Sequence, residues 1–319
     1  MRILKFILLF WVLYQAVLSN AQNSAYPNRM INIVIPVGPG GSYDYLGRLL
    51  AEGLSKELGQ AVVAENRPGA GTVVGTNFVA KSAPDGYTLV VGGVGSISQA
   101  PSLTRELPFN PGTDLLPLQL VANNGYTLIS RSDLQLKNIS ELIAFAKANP
   151  GKLNIGMPGQ GSGQAVGAAL LKSLAGIDLL EVPFKGASPI YTELLASRID
   201  LFFDATGTAL PFIKSGKVRA LFTSGESREL SDIPTAKESS MPELVMSSWT
   251  GLFAPTSTPR PIVLKLRQAI ENVANTSAFK DHLVARSFSS FIPQDVEAFV
   301  RAENIRWPIQ LAKAGVKAQ

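Results

Sequence analysis

The sequence has no cysteine and a single histidine, His282. The first absence excludes disulfides, thiolate metal sites and a cysteine nucleophile. The second leaves no histidine for a Ser-His-Asp arrangement beside any glycine-rich loop. His282 lies beside Asp281 and near Arg286 in a late helical stretch, and reads as a surface or capping residue. No Gly-x-Ser-x-Gly elbow occurs. Gly38-Pro39-Gly40-Gly41-Ser42 lacks the Gly-Lys-Ser/Thr end of a phosphate loop, and Tyr43 stands where a dinucleotide fingerprint needs its third glycine. Lys and Arg are scattered, so no nucleic-acid partner is expected. The net charge of +5 suits a small anionic ligand. No metal-ligand cluster is present, and no metal or cofactor is expected.

The first residues read as an export signal. Arg2 and Lys5 precede an apolar run from Phe6 to Leu18, and Ser19-Asn20-Ala21 supplies small residues at a cleavage site. Cleavage after Ala21 is expected, giving an exported, periplasmic chain. The run is shorter than the roughly 20 residues of a membrane span, which disfavours an N-terminal anchor. The rest is long enough for roughly two domains.

Short apolar runs alternate with helical patterns. Ile31 to Val37 leads into a glycine turn and a helix with Leu46, Leu49, Leu50 and Leu54 on one face. Ala61 to Asn66 and Tyr87 to Val91 read as further strands, the latter ending at Gly92-Gly93-Val94-Gly95-Ser96. Leu115 to Ala122 and Tyr126 to Ser130 read as two separate strands. Asn138 with Glu141 forms a capping box. Leu153 to Gly156 runs into Pro158-Gly159-Gln160-Gly161-Ser162-Gly163-Gln164 and a helix, repeating the first unit. Ser188 as N-cap and Pro189 at the first helical position start another helix. Arg198 to Phe203 is a strand ending at Asp204. Trp249 reads as core or hinge packing.

This alternation predicts an α/β fold of two lobes, each a mainly parallel sheet flanked by helices. The chain crosses between them twice: residues 24–122 plus 247–319 form lobe 1, and 123–246 form lobe 2. Ligands sit outside the carboxyl ends of such strands, so the cleft between the lobes is the expected site. A strand, a glycine turn and a helix N-terminus together hold anions. Gly40, Gly41, Ser42 and Asp44 form one candidate binding loop, and Gly95 and Ser96 a second. Gly161, Ser162, Gly163 and Gln164 form a third, with Gly186, Ala187 and Asp204 at further strand ends. No nucleophile or base is evident, so an enzyme is not expected. An exported hydrolase or isomerase using Asp44 and Asp204 is the weaker alternative.

Several motifs resemble the solute receptors of tripartite tricarboxylate transporters, the Bordetella-uptake type. They are Ile33-Val34-Ile35-Pro36 with Pro39 to Asp44, Val63 to Gly71, Ala83 to Leu89, Ala148 to Leu153, Val182 to Gly186 and Ser248 to Pro255. The resemblance covers essentially the whole mature chain. It implies a two-lobed, hinge-closing periplasmic binding protein of type II-like architecture. It also implies a small carboxylate as ligand, membrane permease subunits as partners, and a monomer without catalysis. A ligand-presenting sensor for a membrane signalling protein would need the same closure. In the family, carboxylates are held by backbone N–H groups, hydroxyls and ordered water. Departures are Gln164 where histidine is usual, Ala205 for asparagine, Ile97 and Ala100 for polar residues, and Gly38 for proline. They suggest a less polar or aromatic carboxylate.

Overall fold

The computed structural model describes residues 26–159, 162–225, 230 and 232–313. The export segment and Gly161 lie outside the described residues. The strands are β1 (Ile31–Ile35), β2 (Val62–Asn66), β3 (Thr88–Gly93), β4 (Leu115–Arg131), β5 (Asn154–Met157), β6 (Leu180–Pro183), β7 (Leu201–Ala205), β8 (Val218–Thr223), β9 (Ser247–Pro255) and β10 (Ser289–Ser290). They form one sheet in the order β2-β1-β3-β9-β4-β7-β5-β6, with β8 and β10 also pairing β4.

The sheet has two parallel trios. β1 pairs β2 and β3 in parallel, and β5 pairs β6 and β7 in parallel. Between them run the antiparallel strands β4 and β9. Residues Leu115 to Gly125 of β4 pair β9, and Tyr126 to Arg131 pair β7 and β8. β4 and β9 are therefore the two chain segments that join the halves. The inner strands β1, β3, β5 and β7 are largely buried, as parallel strands covered on both faces are, while the outer strands β2 and β6 are partly exposed. Ile31, Ile33, Val34 and Ile35 of β1 are all buried.

Two sequence expectations change here. The breaks read at Asn123, Asn124 and Gly125 are absent, and β4 runs unbroken for 17 residues. Those three residues pair Trp249, Ser248 and Ser247 of β9. Cross-strand pairing overrides their turn preference. Register shifts between Pro117 and Gln119 and between Leu120 and Ala122 absorb the irregularity. The other change concerns the helix Ala187–Leu195, which starts one residue before Ser188, with Gly186 as its N-cap. The Ser188 hydroxyl therefore does not cap it.

Leu46, Leu50 and Leu54 bury one face of the helix Ser42–Leu58, and Gly59, at φ 64°, ends it in the left-handed region. Trp249 is buried in the core. Its indole N–H donates to Glu303 Oε2 at 2.9 Å, as does that of Trp307 at 3.0 Å. Arg306 grips the same carboxylate from its Nε at 2.7 Å and from its terminal nitrogen at 2.9 Å. Glu303 ties β9 to the C-terminal helix Val296–Lys313.

Candidate functional site

Five of the six strands in the two trios, all but β3, end at one cavity, and every loop that reaches it leaves a carboxyl end, as open α/β sheets require. The cavity holds about 470 Å³ of empty space, counting its mouth. Its lining comes from Val37, Gly38, Gly41, Ser42 and Tyr43 after β1, and Thr72 after β2. Tyr126 and Ser248 come from the crossing strands. Pro158, Ser162, Gly163 and Gln164 follow β5, Gly186 and Ala187 follow β6, and Ala205 ends β7. None of these side chains is charged.

Four helices begin here: Ser42–Leu58, Gly163–Ala175, Ala187–Leu195 and Thr206–Lys214. Their N-terminal N–H groups have no partner inside the helix. Three of the four, with Gly41, Gly186 and Ala205 as N-caps, have no side-chain cap. Only Ser162 caps its own helix, accepting from Ala165 N at 3.2 Å. Four N-termini at one cavity sum their dipoles into a positive field, and their free N–H groups are anion donors.

Two hydroxyls complete the donor set. Ser42 Oγ and Thr72 Oγ1 are buried without a hydrogen-bond partner, and both residues line the cavity. An orphaned buried hydroxyl costs free energy unless something satisfies it. The Tyr126 hydroxyl is bonded to Ser248, and burial raises its pKa well above the usual phenol range. The same hydroxyl explains the glycine at 163, where a Cβ would stand 1.8 Å from it.

Of the residues singled out in the sequence, Gly41, Ser42, Ser162, Gly163, Gln164, Gly186 and Ala187 line the cavity. Gly40 does not; it turns the loop at φ 95°, and its N–H donates to Asp44 Oδ2 at 3.1 Å. Asp44 is likewise a brace. Its Oδ1 accepts from Arg48 Nε at 3.0 Å and Asn66 Nδ2 at 2.9 Å. Gly95 and Ser96 are also off the cavity. They fall in a π-helix, Val94–Gln99, whose start is plugged by Tyr43. The Tyr43 hydroxyl is bonded to Ser96 and to the Gly95 and Ser96 backbone, and burial pushes its pKa up to about 12. Those backbone groups are therefore spent inside the protein. Ile97 and Ala100 are fully buried away from the lining, so among the departures only Gly38, Gln164 and Ala205 alter the cavity.

Asp204 lies fully buried just behind the wall. Oδ1 accepts from Ala205 N at 2.8 Å and Gln164 Nε2 at 3.2 Å, and Oδ2 from Tyr191 Oη at 2.9 Å and Thr208 Oγ1 at 2.5 Å. Burial raises its pKa against the pull of these donors. It does not reach the cavity, which weakens the acid–base alternative.

Sequence reasoning missed Val37, Tyr43, Thr72, Tyr126, Pro158 and Ser248 as lining residues. Thr72 follows Gly69-Ala70-Gly71, a glycine turn after β2, and that turn was the available signal. Nothing in the sequence points to Tyr126 and Ser248, which reach the cavity only because the two joining strands pass under it.

The model of the tripartite tricarboxylate transporter family receptor matches residues 46–315. The protein BugT of Bordetella pertussis is 33% identical over 301 residues, covering 92% of this chain and 91% of its own. The solved periplasmic binding protein BugD superposes with a TM-score of 0.88 at 34% identity, covering 92% of this chain and all of that one. MatC from Rhodopseudomonas palustris, solved with bound malate, gives a TM-score of 0.85 at 32% identity, covering 90% of this chain and 100% of its own. These matches agree with the mixed α/β fold. The chain belongs to the tripartite tricarboxylate transporter receptor family.

Proposed function

We propose that this solute-binding receptor captures a small carboxylate in the cavity and delivers it to membrane permease subunits. The convergence of four helix N-termini, three of them uncapped, on two orphaned hydroxyls carries the proposal. A carboxylate supplies acceptor lone pairs to both sets at once. With no cationic side chain among the described lining residues, the field of the helix ends and the N–H groups stabilise its charge. Val37, Tyr43, Pro158, Ala187 and Ala205 favour a ligand with an apolar body.

The lobes we propose are residues 24–122 plus 247–319 and residues 123–246. They close over the ligand by rotation about β4 and β9, which excludes water and strengthens the interactions inside. Two close backbone approaches support this reading: a Cβ at Gly38 would meet Lys185, and one at Gly159 would meet Gly71. In this reading the receptor acts as a periplasmic monomer after cleavage at Ala21, binding its ligand without transforming it.

Calorimetry of the purified mature protein against aliphatic and aromatic carboxylates, their amides and neutral sugars tests this. One-to-one binding of a carboxylate, lost in its amide, is expected. Tight binding of a sugar or an amide with no response to any carboxylate would refute it. Selective binding of succinate with no response to any aromatic acid would refute the preference for an apolar body.

A further inference from the structure

We infer that Gln164 selects, among carboxylates, those carrying a hydrogen-bond donor such as a hydroxyl or an amine; this rests on the carboxylate proposal above. Gln164 is the second residue of the helix Gly163–Ala175 and lines the cavity. Its side chain has one end in the protein and one free. Nε2 donates to Asp204 Oδ1 at 3.2 Å.

That orientation is enforced by chemistry. Asp204 Oδ1 already accepts the Ala205 backbone N–H at 2.8 Å, and that donor cannot turn away. If Asp204 takes a proton, Oδ2 is the place for it. There Thr208 Oγ1 stands at 2.5 Å, and it has a second acceptor in Ala205 O at 2.9 Å, so it can pass on its own proton and accept another. Tyr191 completes Oδ2. Oδ1 is thus an acceptor whether Asp204 is charged or neutral. A flipped Gln164 amide would set oxygen against oxygen.

The group Gln164 turns to the cavity is therefore Oε1, an acceptor only. No described residue donates to it. The other polar side chains of the lining carry hydroxyls, those of Ser42, Tyr43, Thr72, Tyr126, Ser162 and Ser248, which with the helix N–H groups suit the carboxylate. A second carboxylate oxygen against Oε1 would be repelled, and a methylene there would leave it unsatisfied. A hydroxyl, an amine or an ammonium beside or across from the carboxylate satisfies it. Hydroxy and amino carboxylates are the class that meets both demands.

The test uses matched pairs that differ by one donor: malate with succinate, mandelate with phenylacetate, and aspartate with succinate. Dissociation constants come from calorimetry on the mature wild type, Gln164→Met and Asp204→Asn. In wild type the donor-bearing member of at least one pair binds about tenfold or more tightly. Gln164→Met, which keeps the length but removes the acceptor, brings the ratio to within about threefold. Asp204→Asn keeps the ratio, because an asparagine Oδ1 held by Ala205 N–H still orients Gln164. Equal binding within every pair, an unchanged ratio in Gln164→Met, or a lost ratio in Asp204→Asn overturns the inference. The wild-type ratios decide even if a variant fails to fold. If no member of any pair binds while another carboxylate does, the inference alone falls; if no carboxylate binds at all, the carboxylate proposal falls with it.

Discussion

A single methyl at position 38 should hold the cleft open. A Cβ built on Gly38 would stand 1.9 Å from the Lys185 carbonyl oxygen and 3.0 Å from its carbon. Ordinary contact begins near 3.4 Å, so the two loops must part by about 1.5 Å. The obstacle is backbone and cannot rotate away as a side chain would. Overpacking of this kind costs about 1–3 kcal/mol, and the cost falls only on the form in which the loops meet. Gly38→Ala should therefore weaken carboxylate binding by about 5- to 150-fold. The ligand-free protein should be unharmed, because Gly38 is not among the glycines with positive φ and alanine there slightly restricts the unfolded chain. Calorimetry with the tightest carboxylate, paired with ligand-free thermal melting, reads the two effects separately. Full affinity in Gly38→Ala would refute closure at this contact. A large drop in ligand-free melting temperature would show instead that the contact supports the fold.

Ser42→Ala and Thr72→Val should each weaken carboxylate binding by about 3- to 30-fold while leaving or slightly raising ligand-free stability, since each removes an orphaned buried hydroxyl; a variant with unchanged affinity would exclude that hydroxyl from the ligand. Glu303→Ala should lower unfolding stability by about 3 kcal/mol in a denaturant titration, because two indole N–H groups and the Arg306 guanidinium lose their shared acceptor; a loss under about 1 kcal/mol would show that the network is dispensable. Stability should also decline in alkali. Burial raises the folded-state pKa of Tyr43 from 10.0 to about 12 and shifts Tyr26, Tyr126 and Tyr191 upward too. A group raised on folding contributes stability below its unfolded pKa, so that contribution is lost as pH climbs from 10 towards 12. Absorbance of ionised tyrosine should rise together with loss of near-ultraviolet circular dichroism, and ionisation of all six tyrosines that remain after removal of the export segment with Tyr14, near pH 10 and in an intact fold, would contradict it.

The fold was largely legible because its signals are local. Ile31, Ile33 and Ile35 fill one face of β1 and Val34 lies on the other beside the single polar residue Asn32, and Leu46, Leu50 and Leu54 repeat at helical spacing. Glycine turns followed by helical patterns marked the helix starts at Gly41 and Gly163, whereas the start at Gly186 was placed two residues late, at Ser188. What failed was nonlocal. Asn123-Asn124-Gly125 looks like a turn, and only β9 beside it makes it strand. Gly95 and Ser96 look like one more anion loop, and only the Tyr43 hydroxyl shows that their donors are already used. Asp44 and Asp204 carry charge at the right strand ends, yet both point into the protein, one bracing a loop and one orienting Gln164. Thr72, Tyr126 and Ser248 converge from three distant segments, a placement that depends on sheet order rather than on residue type.

The most direct test of the central claim is a crystal structure of the mature protein with the carboxylate that calorimetry selects. The account predicts the carboxylate oxygens within about 3 Å of the N–H groups at the starts of the Ser42 and Gly163 helices. Ser42 Oγ and Thr72 Oγ1 should be satisfied by the ligand or by water bound to it, with no cation beside them. A ligand seated elsewhere, or a carboxylate held by Lys or Arg while the helix N-termini stay unoccupied, would contradict it.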